Sequence, residues 1–376
     1  METSIRRYDL DWLRVIVFAL LILYHVGMFF VPWGFHLKNN IIYKWLVWPM
    51  LFLNQWRLPI LFVISGMGTY YAFSKRSLKQ YSWERVLRLG IPLIFGMLLI
   101  VPPQVYFERI ANGQFIGSYV EFYAQMFNVG PYPEGDISWH HLWFLPYLLI
   151  FSLALGPVFR RLKQGPSKLV SWVKRLIEKP FGLYLFVPPL YLAEAFLEPF
   201  FPVTHALVGD WFNICISIMF FFFGFLLIAS GDSFWKALEK IKHKALTLGV
   251  ICFLAQVIIW LFLEDGIVVH FSEALLKVTN IWSWILVLFA YSAKYLNRKS
   301  KTVTYANRAV YPFYILHQTI TIAIAFYIKD LDWGFIPKAI ILVIGTFGLS
   351  WFIYHFLILK IKPLQPLFGV KKTKPK

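Results

Sequence analysis

Residues 12–33 read WLRVIVFALLILYHVGMFFVPW, an apolar run that is interrupted by Arg14 and His25. About 20 apolar residues are enough to cross the hydrocarbon core of a bilayer as one helix. An ionisable side chain at that depth costs at least about 2.5 kcal/mol, so both residues are candidates for a functional role. Eleven residues at about 100° each make nearly three turns, which places both side chains on one face, about 16 Å apart.

The composition extends this pattern to the whole chain of 376 residues. The chain is 59% hydrophobic and 15% charged, whereas about a quarter of the residues in soluble domains are charged. Apolar runs of similar length recur, which indicates an all-α, polytopic membrane protein. The first run is too long for the core of a signal peptide and no small-residue cleavage site follows it, so we expect it to remain as the first membrane helix.

We predict ten helical spans within a single membrane domain of residues 1–376. The helical bundle covers residues 8–360, and a basic cytoplasmic tail follows over residues 361–376. The fifth span is short, and Lys277 and Asn280 interrupt the eighth. The spans are residues 12–33, 45–73, 87–106, 142–158, 181–197, 211–229, 245–263, 275–293, 309–328 and 335–359.

The net charge of +18 is distributed as in a membrane protein and does not indicate a nucleic-acid partner. Most lysines and arginines fall near the termini and in every second connecting segment, while the other segments are acidic. The positive-inside rule therefore places both termini in the cytoplasm. A final basic run is expected to be solvated and to contact anionic lipid headgroups. This run consists of Lys371, Lys372, Lys374 and Lys376.

The sequence contains no P-loop, nucleophile elbow or zinc-protease signature, and a covalent serine mechanism is not indicated. Cys215 and Cys252 lie in apolar runs and are expected to be small core residues. The adjacent His140 and His141 point to different faces of a helix, so no metal site is predicted.

Arg14 and His25 in the first helix are candidate functional residues, and each needs a polar partner. Arg14 can pair with Asp11, one turn earlier, or can snorkel alone to the membrane boundary. His25 lies past the middle of the span and can be catalytic or a hydrogen-bonded packing residue. Asp11 is too far away to orient it, so its partner must come from another helix. The candidate partners are Asn54, Gln55, Glu194 and His317.

Two further groups of polar residues precede prolines. Arg85 and Arg88 lie one turn apart before Pro92, which suits bidentate binding of phosphate but also fits an ordinary positive-inside cluster. In the second span, Arg57 lies just before Pro59 at a depth where charge is costly, and we expect it to line a wet cavity. Gly66 and its small neighbours favour close helix packing in that span.

Five motifs in order resemble the integral-membrane acyltransferase-three superfamily. They are Tyr8-Asp-Leu-Asp11-Trp-Leu-Arg14 with His25, Leu61-Phe-Val-Ile-Ser-Gly66, Arg85-x-x-Arg88, Leu142-Trp-Phe-Leu-Pro146 and Tyr314-Ile-Leu-His317. The resemblance covers residues 8–318. The His-Leu-Trp-Phe-Leu form at residues 141–145 most resembles the glucan biosynthesis protein C branch, which is linked to succinylation of periplasmic glucans.

The resemblance implies a bacterial inner-membrane enzyme. It moves an acetyl or succinyl group from cytoplasmic acyl-CoA to a hydroxyl of an extracytoplasmic or membrane-associated carbohydrate. Its partners are the acyl-CoA donor, the carbohydrate acceptor and the lipid bilayer, and no cofactor is bound tightly. His25 falls on the catalytic position, Arg14 on the first-helix arginine, and Arg85 with Arg88 on the donor-binding pair.

Other roles at the site stay open. His25 can act as a general base or become acylated for a short time. Arg57 or the amides of Asn54 and Gln55 can stabilise the oxyanion, and Glu194 and His317 complete the predicted substrate-binding group. The alternative is a proton-coupled secondary transporter with His25 and Glu194 as a relay, although the sequence has no internal repeat typical of that class.

Overall fold

The computed structural model describes residues 7–371, and every regular element within that range is helical, which confirms the all-α class. In this range nine helices are long and apolar enough to cross a membrane, and a tenth apolar helix is shorter. The ten are α1 (Tyr8–Met28), α2 (Lys44–Phe73), α3 (Leu78–Ala111), α4 (His140–Gln164), α5 (Gly182–Phe196), α6 (Trp211–Ala229), α7 (Asp232–Phe262), α8 (Ile267–Tyr295), α9 (Lys301–Ile328) and α10 (Phe335–Ile358).

The short fifth span is α5, whose first residues, Gly182–Phe186, form a 3-10 turn. Three further short helices connect or follow the ten. They are Tyr119–Gln125, Lys168–Ile177 and Leu364–Leu367. Lys372, Lys374 and Lys376 of the predicted tail lie outside the described residues.

Four helices, α3, α7, α8 and α9, begin at least eight residues before the predicted membrane spans, and two of them are explained locally. α3 begins at Leu78 because the Ser77 hydroxyl accepts from the Gln80 amide while the Gln80 side chain accepts from the Ser77 amide. α7 begins at Asp232, so the basic segment before the predicted span is helical too. Hydropathy marks the part of a helix that lipid can surround, whereas capping sets where the helix starts.

The chain forms two compact units, and most helices belong mainly to one of them. The first unit comprises described residues 7–17, 52–83 and 150–304. Its α2 and α6 cross closely, because a Cβ on Gly66 would lie 1.9 Å from the Phe221 carbonyl oxygen and one on Gly224 would lie 2.0 Å from the Val63 carbonyl oxygen. This confirms the predicted close packing at Gly66.

The second unit comprises residues 18–51, 84–149 and described residues 305–371. Its buried core includes Phe29, Phe30, Ile322 and Leu342. Lys38 ties the end of α1 into this unit, since its Nζ donates to the carbonyls of Met28 at 2.6 Å and Val31 at 2.7 Å. Carbonyls at a helix C-terminus lack intrahelical donors and favour a cation.

Residues 361–371, the described start of the C-terminal tail, pack within the second unit. Phe368 and Val370 are buried, and the Phe368 ring lies 5.2 Å from the ring of Phe95 on α3. Lys371 Nζ lies 3.1 Å from Glu84 Oε1, one turn before Arg88. The chain therefore returns to the end of α3 that carries the two arginines.

Candidate active site

His25 on α1 contacts a second histidine, His317 on α9. The His25 Nδ1 and His317 Nε2 atoms are 2.7 Å apart, and the two rings stack with centroids separated by 4.9 Å. His317 is fully buried. His317 was one of the four candidate partners of His25, and the structure places it in hydrogen-bond contact with His25.

The backbone around His317 determines which ring nitrogens carry hydrogen. The His317 Nδ1 atom lies 2.8 Å from the Tyr314 carbonyl oxygen and 3.1 Å from that of Phe313. Carbonyl oxygens only accept, so Nδ1 carries the proton. A charged imidazole is costly in a fully buried site, so the neutral ring is favoured and His317 Nε2 accepts. His25 then donates from Nδ1, which leaves the basic lone pair of neutral His25 on Nε2.

A third imidazole, that of His141 on α4, packs against His317. Its ring centroid lies 5.1 Å from that of His317, with the rings perpendicular. His141 Nε2 lies 3.1 Å from the Ile315 carbonyl oxygen, so this nitrogen donates. The Tyr314 hydroxyl donates to the His141 carbonyl oxygen at 2.5 Å. α4 and α9 are thus fastened together at the level of His317.

Amide and hydroxyl groups extend the network to α3. Gln104 Nε2 donates to Thr319 Oγ1 at 2.6 Å and approaches His141 Nδ1 at 3.4 Å, while its Oε1 accepts from Gln318 Nε2 at 3.1 Å. The Thr319 hydroxyl donates to the Ile100 carbonyl oxygen at 2.6 Å. Both ends of the Gln104 amide are therefore used, which fixes its orientation beside the histidines.

The Ile100 carbonyl, which accepts from Thr319, lies in an irregular stretch of α3. Residues Gly96–Ile100 form a π-helical turn, and Pro102 and Pro103 follow it. The Gln104 backbone amide donates to the Val101 carbonyl oxygen at 2.8 Å instead of to that of Ile100, so the Ile100 carbonyl can accept from the Thr319 hydroxyl. π turns inside helices are frequent at functional sites. Gln104 was not predicted at the site, and His141 was considered only as a metal ligand, although the Pro-Pro-Gln stretch inside an apolar span indicates buried polar contacts.

Arg85 and Arg88 lie at the opposite end of α3, where a second π-helical segment covers Val86–Gly90. Arg88 Nη1 is 3.7 Å from Glu84 Oε1, and its guanidinium lies over the Tyr311 ring at 5.7 Å. Both arginines are partly exposed. The arginine pair and His25 thus belong to the same compact unit.

Comparison with known proteins shows the family. The model of the acyltransferase domain (Acyl_transf_3) matches residues 7–355, which include the histidines and the arginine pair. The chain belongs to the acyltransferase-three family. Two similar relatives are both named glucans biosynthesis protein C, from Escherichia coli O6:K15:H31 (strain 536 / UPEC) and Escherichia coli (strain K12). Each is 23% identical to this chain over 378 residues, covering 97% of this chain and 95% of the relative.

In this membrane acyltransferase Arg14 has the first of its two predicted environments, a pairing with Asp11. Arg14 Nη1 lies 3.5 Å from Asp11 Oδ1 within α1. In the same unit, Arg57 Nη1 donates to Asn54 Oδ1 at 2.5 Å, and Arg57 is only 5% exposed. A wet cavity around Arg57 and an oxyanion role for its neighbours remain predictions.

The remaining predicted residues of the acyltransferase make contacts between helices of the first unit. Gln55 on α2 donates to Gln256 on α7 at 2.9 Å and accepts from Asn280 on α8 at 2.5 Å. Glu194 on α5 accepts from Lys277 on α8 at 2.5 Å. These contacts explain how the two polar residues that interrupt the eighth predicted span are accommodated in a continuous helix.

Proposed function

We propose that this membrane acyltransferase moves an acetyl or succinyl group from acyl-CoA to a hydroxyl of a carbohydrate at the bacterial inner membrane. The observation that carries the proposal is the His25–His317 pair, whose hydrogen bonds assign the basic lone pair to His25 Nε2. The printed name of the relatives, glucans biosynthesis protein C, supports a glucan as the acceptor class.

In the proposed reaction His25 acts as the general base. Its Nε2 removes the proton of the acceptor hydroxyl while the oxygen attacks the thioester carbonyl carbon. The tetrahedral intermediate then collapses, the carbon–sulfur bond breaks, and the proton passes from His25 to the sulfur of CoA. The products are an ester and free CoA, so atoms and charge balance without a cofactor.

His317 acts as a positioning residue in this scheme. When His25 gains the proton it becomes an imidazolium, and its Nδ1–H still points to His317 Nε2 at 2.7 Å. The Tyr314 and Phe313 carbonyls keep His317 in the accepting tautomer throughout. An orienting group that fixes the tautomer of a catalytic histidine contributes strongly to rate in other enzymes.

We assign donor binding to Arg85 and Arg88. The phosphates of CoA are anionic, and guanidinium groups bind phosphate oxygens through paired hydrogen bonds. The positive-inside pattern supports a cytoplasmic location for these arginines, which is where acyl-CoA is present. The π segment that begins at Val86 sets their relative direction.

The test is acyl transfer by the purified protein in nanodiscs. Radiolabelled acetyl-CoA and succinyl-CoA serve as donors, and a mixture of linear glucose oligosaccharides serves as the acceptor probe. We expect His25→Ala to lower turnover about 10²–10⁴-fold, the usual contribution of a general base. His243→Ala is the matched control because His243 is exposed on α7. Substantial turnover by a folded His25→Ala protein would overturn the proposal.

A further inference from the structure

A second group of titratable side chains lies near the histidine pair, and we call it the His140 cluster. It consists of His36, Glu108, Tyr132 and His140. The Tyr132 hydroxyl donates to Glu108 Oε1 at 3.0 Å, and His36 Nδ1 hydrogen-bonds Glu108 Oε2. The ring of His140 lies 4.5 Å from that of His36 and 4.6 Å from that of Tyr132.

His140 carries two unfavourable features. Its Nε2 atom is buried and has no hydrogen-bond partner among the described residues. Its backbone φ angle is +39°, a value that residues other than glycine rarely adopt. A buried polar atom without a partner and a strained backbone are both costly, and strained residues cluster at functional sites. A bound hydroxyl group would supply the missing partner of Nε2.

The position of the cluster fits the acceptor side of the reaction. His140 precedes His141, whose ring lies 5.1 Å from that of His317. Glu108 and Arg88 lie on the same helix, twenty residues or about 30 Å apart along its axis. The cluster is therefore one residue along the chain from His141 and far from the arginines to which we assign the donor.

A turn held by one guanidinium covers the cluster. Arg109 donates to the carbonyls of Pro133 at 2.7 Å and Gly135 at 2.8 Å, and to Asp136 Oδ1 at 2.9 Å. Tyr132 lies on this turn. Burial and the nearby Glu108 carboxylate raise the pKa of Tyr132 to about 12, so its hydroxyl stays protonated and donates. A sugar hydroxyl bound between these two groups can accept from the Tyr132 hydroxyl and donate to Glu108 Oε1.

The chemistry of the cluster distinguishes sugars from other ligands. One carboxylate and two imidazoles supply both hydrogen-bond acceptors and donors, which neutral hydroxyl groups require. The Tyr132 and His140 rings supply flat faces for the C–H surface of a sugar. The Glu108 carboxylate disfavours a phosphate or another anion at the same place.

We propose that the His140 cluster is the acceptor subsite, where His140 Nε2 and Glu108 Oε1 bind hydroxyl groups of the carbohydrate. This assignment rests on the proposed function, in which the acceptor is a carbohydrate. It goes beyond that function because it places the sugar at named residues. His36 orients Glu108, and the turn that carries Tyr132 closes over the bound sugar.

The experiment measures acceptor and donor parameters separately in nanodiscs with radiolabelled acetyl-CoA and linear glucose oligosaccharides. We expect His140→Gln and Tyr132→Phe each to raise the saccharide KM roughly tenfold, the effect of one lost hydrogen bond. The acetyl-CoA KM should not change, because the donor is assigned to Arg85 and Arg88. Tyr123→Phe is the matched control, because the Tyr123 ring packs on Tyr119 and Phe127 instead.

The outcomes separate the two proposals. If the saccharide KM is unchanged in both variants while His25→Ala still abolishes transfer, the subsite is wrong and the proposed function stands. If His25→Ala retains transfer, the proposed function itself fails. Tyr132→Phe keeps the aromatic ring, so it decides the result if His140→Gln lowers the thermal stability. Saccharide should also slow hydrogen exchange over residues 130–141 of the unaltered protein, and no slowing overturns the subsite.

Discussion

The buried polar contacts of the first compact unit differ from the histidine pair of the second. In the first unit, Gln55 bonds to two other amides and Glu194 to Lys277, side chain to side chain between helices. In the second unit, His25 hydrogen-bonds to His317, whose Nδ1 donates to backbone carbonyl oxygens. The first pattern fastens helices together, whereas the second selects one tautomer and so directs a basic nitrogen. The partner of a membrane-buried polar residue thus indicates its role.

The largest expected effect concerns the selected tautomer. His317→Ala should lower kcat about 10²–10⁴-fold, because His25 would lose the acceptor that keeps its proton on Nδ1. The donor and acceptor KM values should change little. His317→Gln offers a side-chain oxygen to the same proton and should recover part of kcat. Steady-state kinetics check this, and equal loss in both variants would reduce His317 to a packing residue.

In the first unit we expect an effect on stability instead of an effect on catalysis. Glu194 is 4% exposed, so Lys277→Met leaves its carboxylate without the cation and should destabilise the protein by about 3 kcal/mol. The double variant Glu194→Gln/Lys277→Met should regain most of that stability. Unfolding by denaturant in detergent measures both. Acyl transfer per folded molecule should stay near normal, and a loss of kcat comparable to that of His317→Ala would erase the contrast between the units.

A smaller effect depends on pH and concerns the segment between α5 and α6. Burial is the main cause that lowers the pKa of His205 to about 4 from its usual 6.5. The unfolded chain therefore binds more protons between these values, so stability is lost as pH falls below about 6.5. The loss should reach about 2 kcal/mol at pH 5. Thermal unfolding between pH 5 and 7.5 measures it, and His205→Gln should flatten the curve while leaving kcat at pH 7.5 unchanged.

The sequence predicted much of the fold because apolar length is a strong constraint in membranes. Nine of the ten predicted spans correspond to helices long enough to cross, and the fifth corresponds to the shorter α5. Arg14 pairs with Asp11, which was one of the two environments that its helical spacing allowed. The orientation of the termini, the single domain and the roles of the site residues remain predictions.

The partner of His25 could be narrowed to four residues but not chosen, since contacts between helices depend on tertiary packing. For the same reason the sequence did not place His141 beside His317 or Gln104 beside His141, since these contacts form only when α3, α4 and α9 pack together. The π-helical turns of α3 also escaped prediction, because a single extra residue in a turn does not change an apolar pattern. Local spacing is readable from the sequence, and long-range juxtaposition requires coordinates.

The returning C-terminal segment has a practical consequence for protein engineering. Phe368 packs against Phe95, and Lys371 lies beside Glu84, so an affinity tag or fluorescent reporter fused directly after Lys371 starts next to the arginine-bearing end of α3. Truncation before Leu364 would uncover an aromatic surface there. Amino-terminal fusions are therefore the better choice for purification, and carboxyl-terminal reporters are suited to sensing ligands at that end.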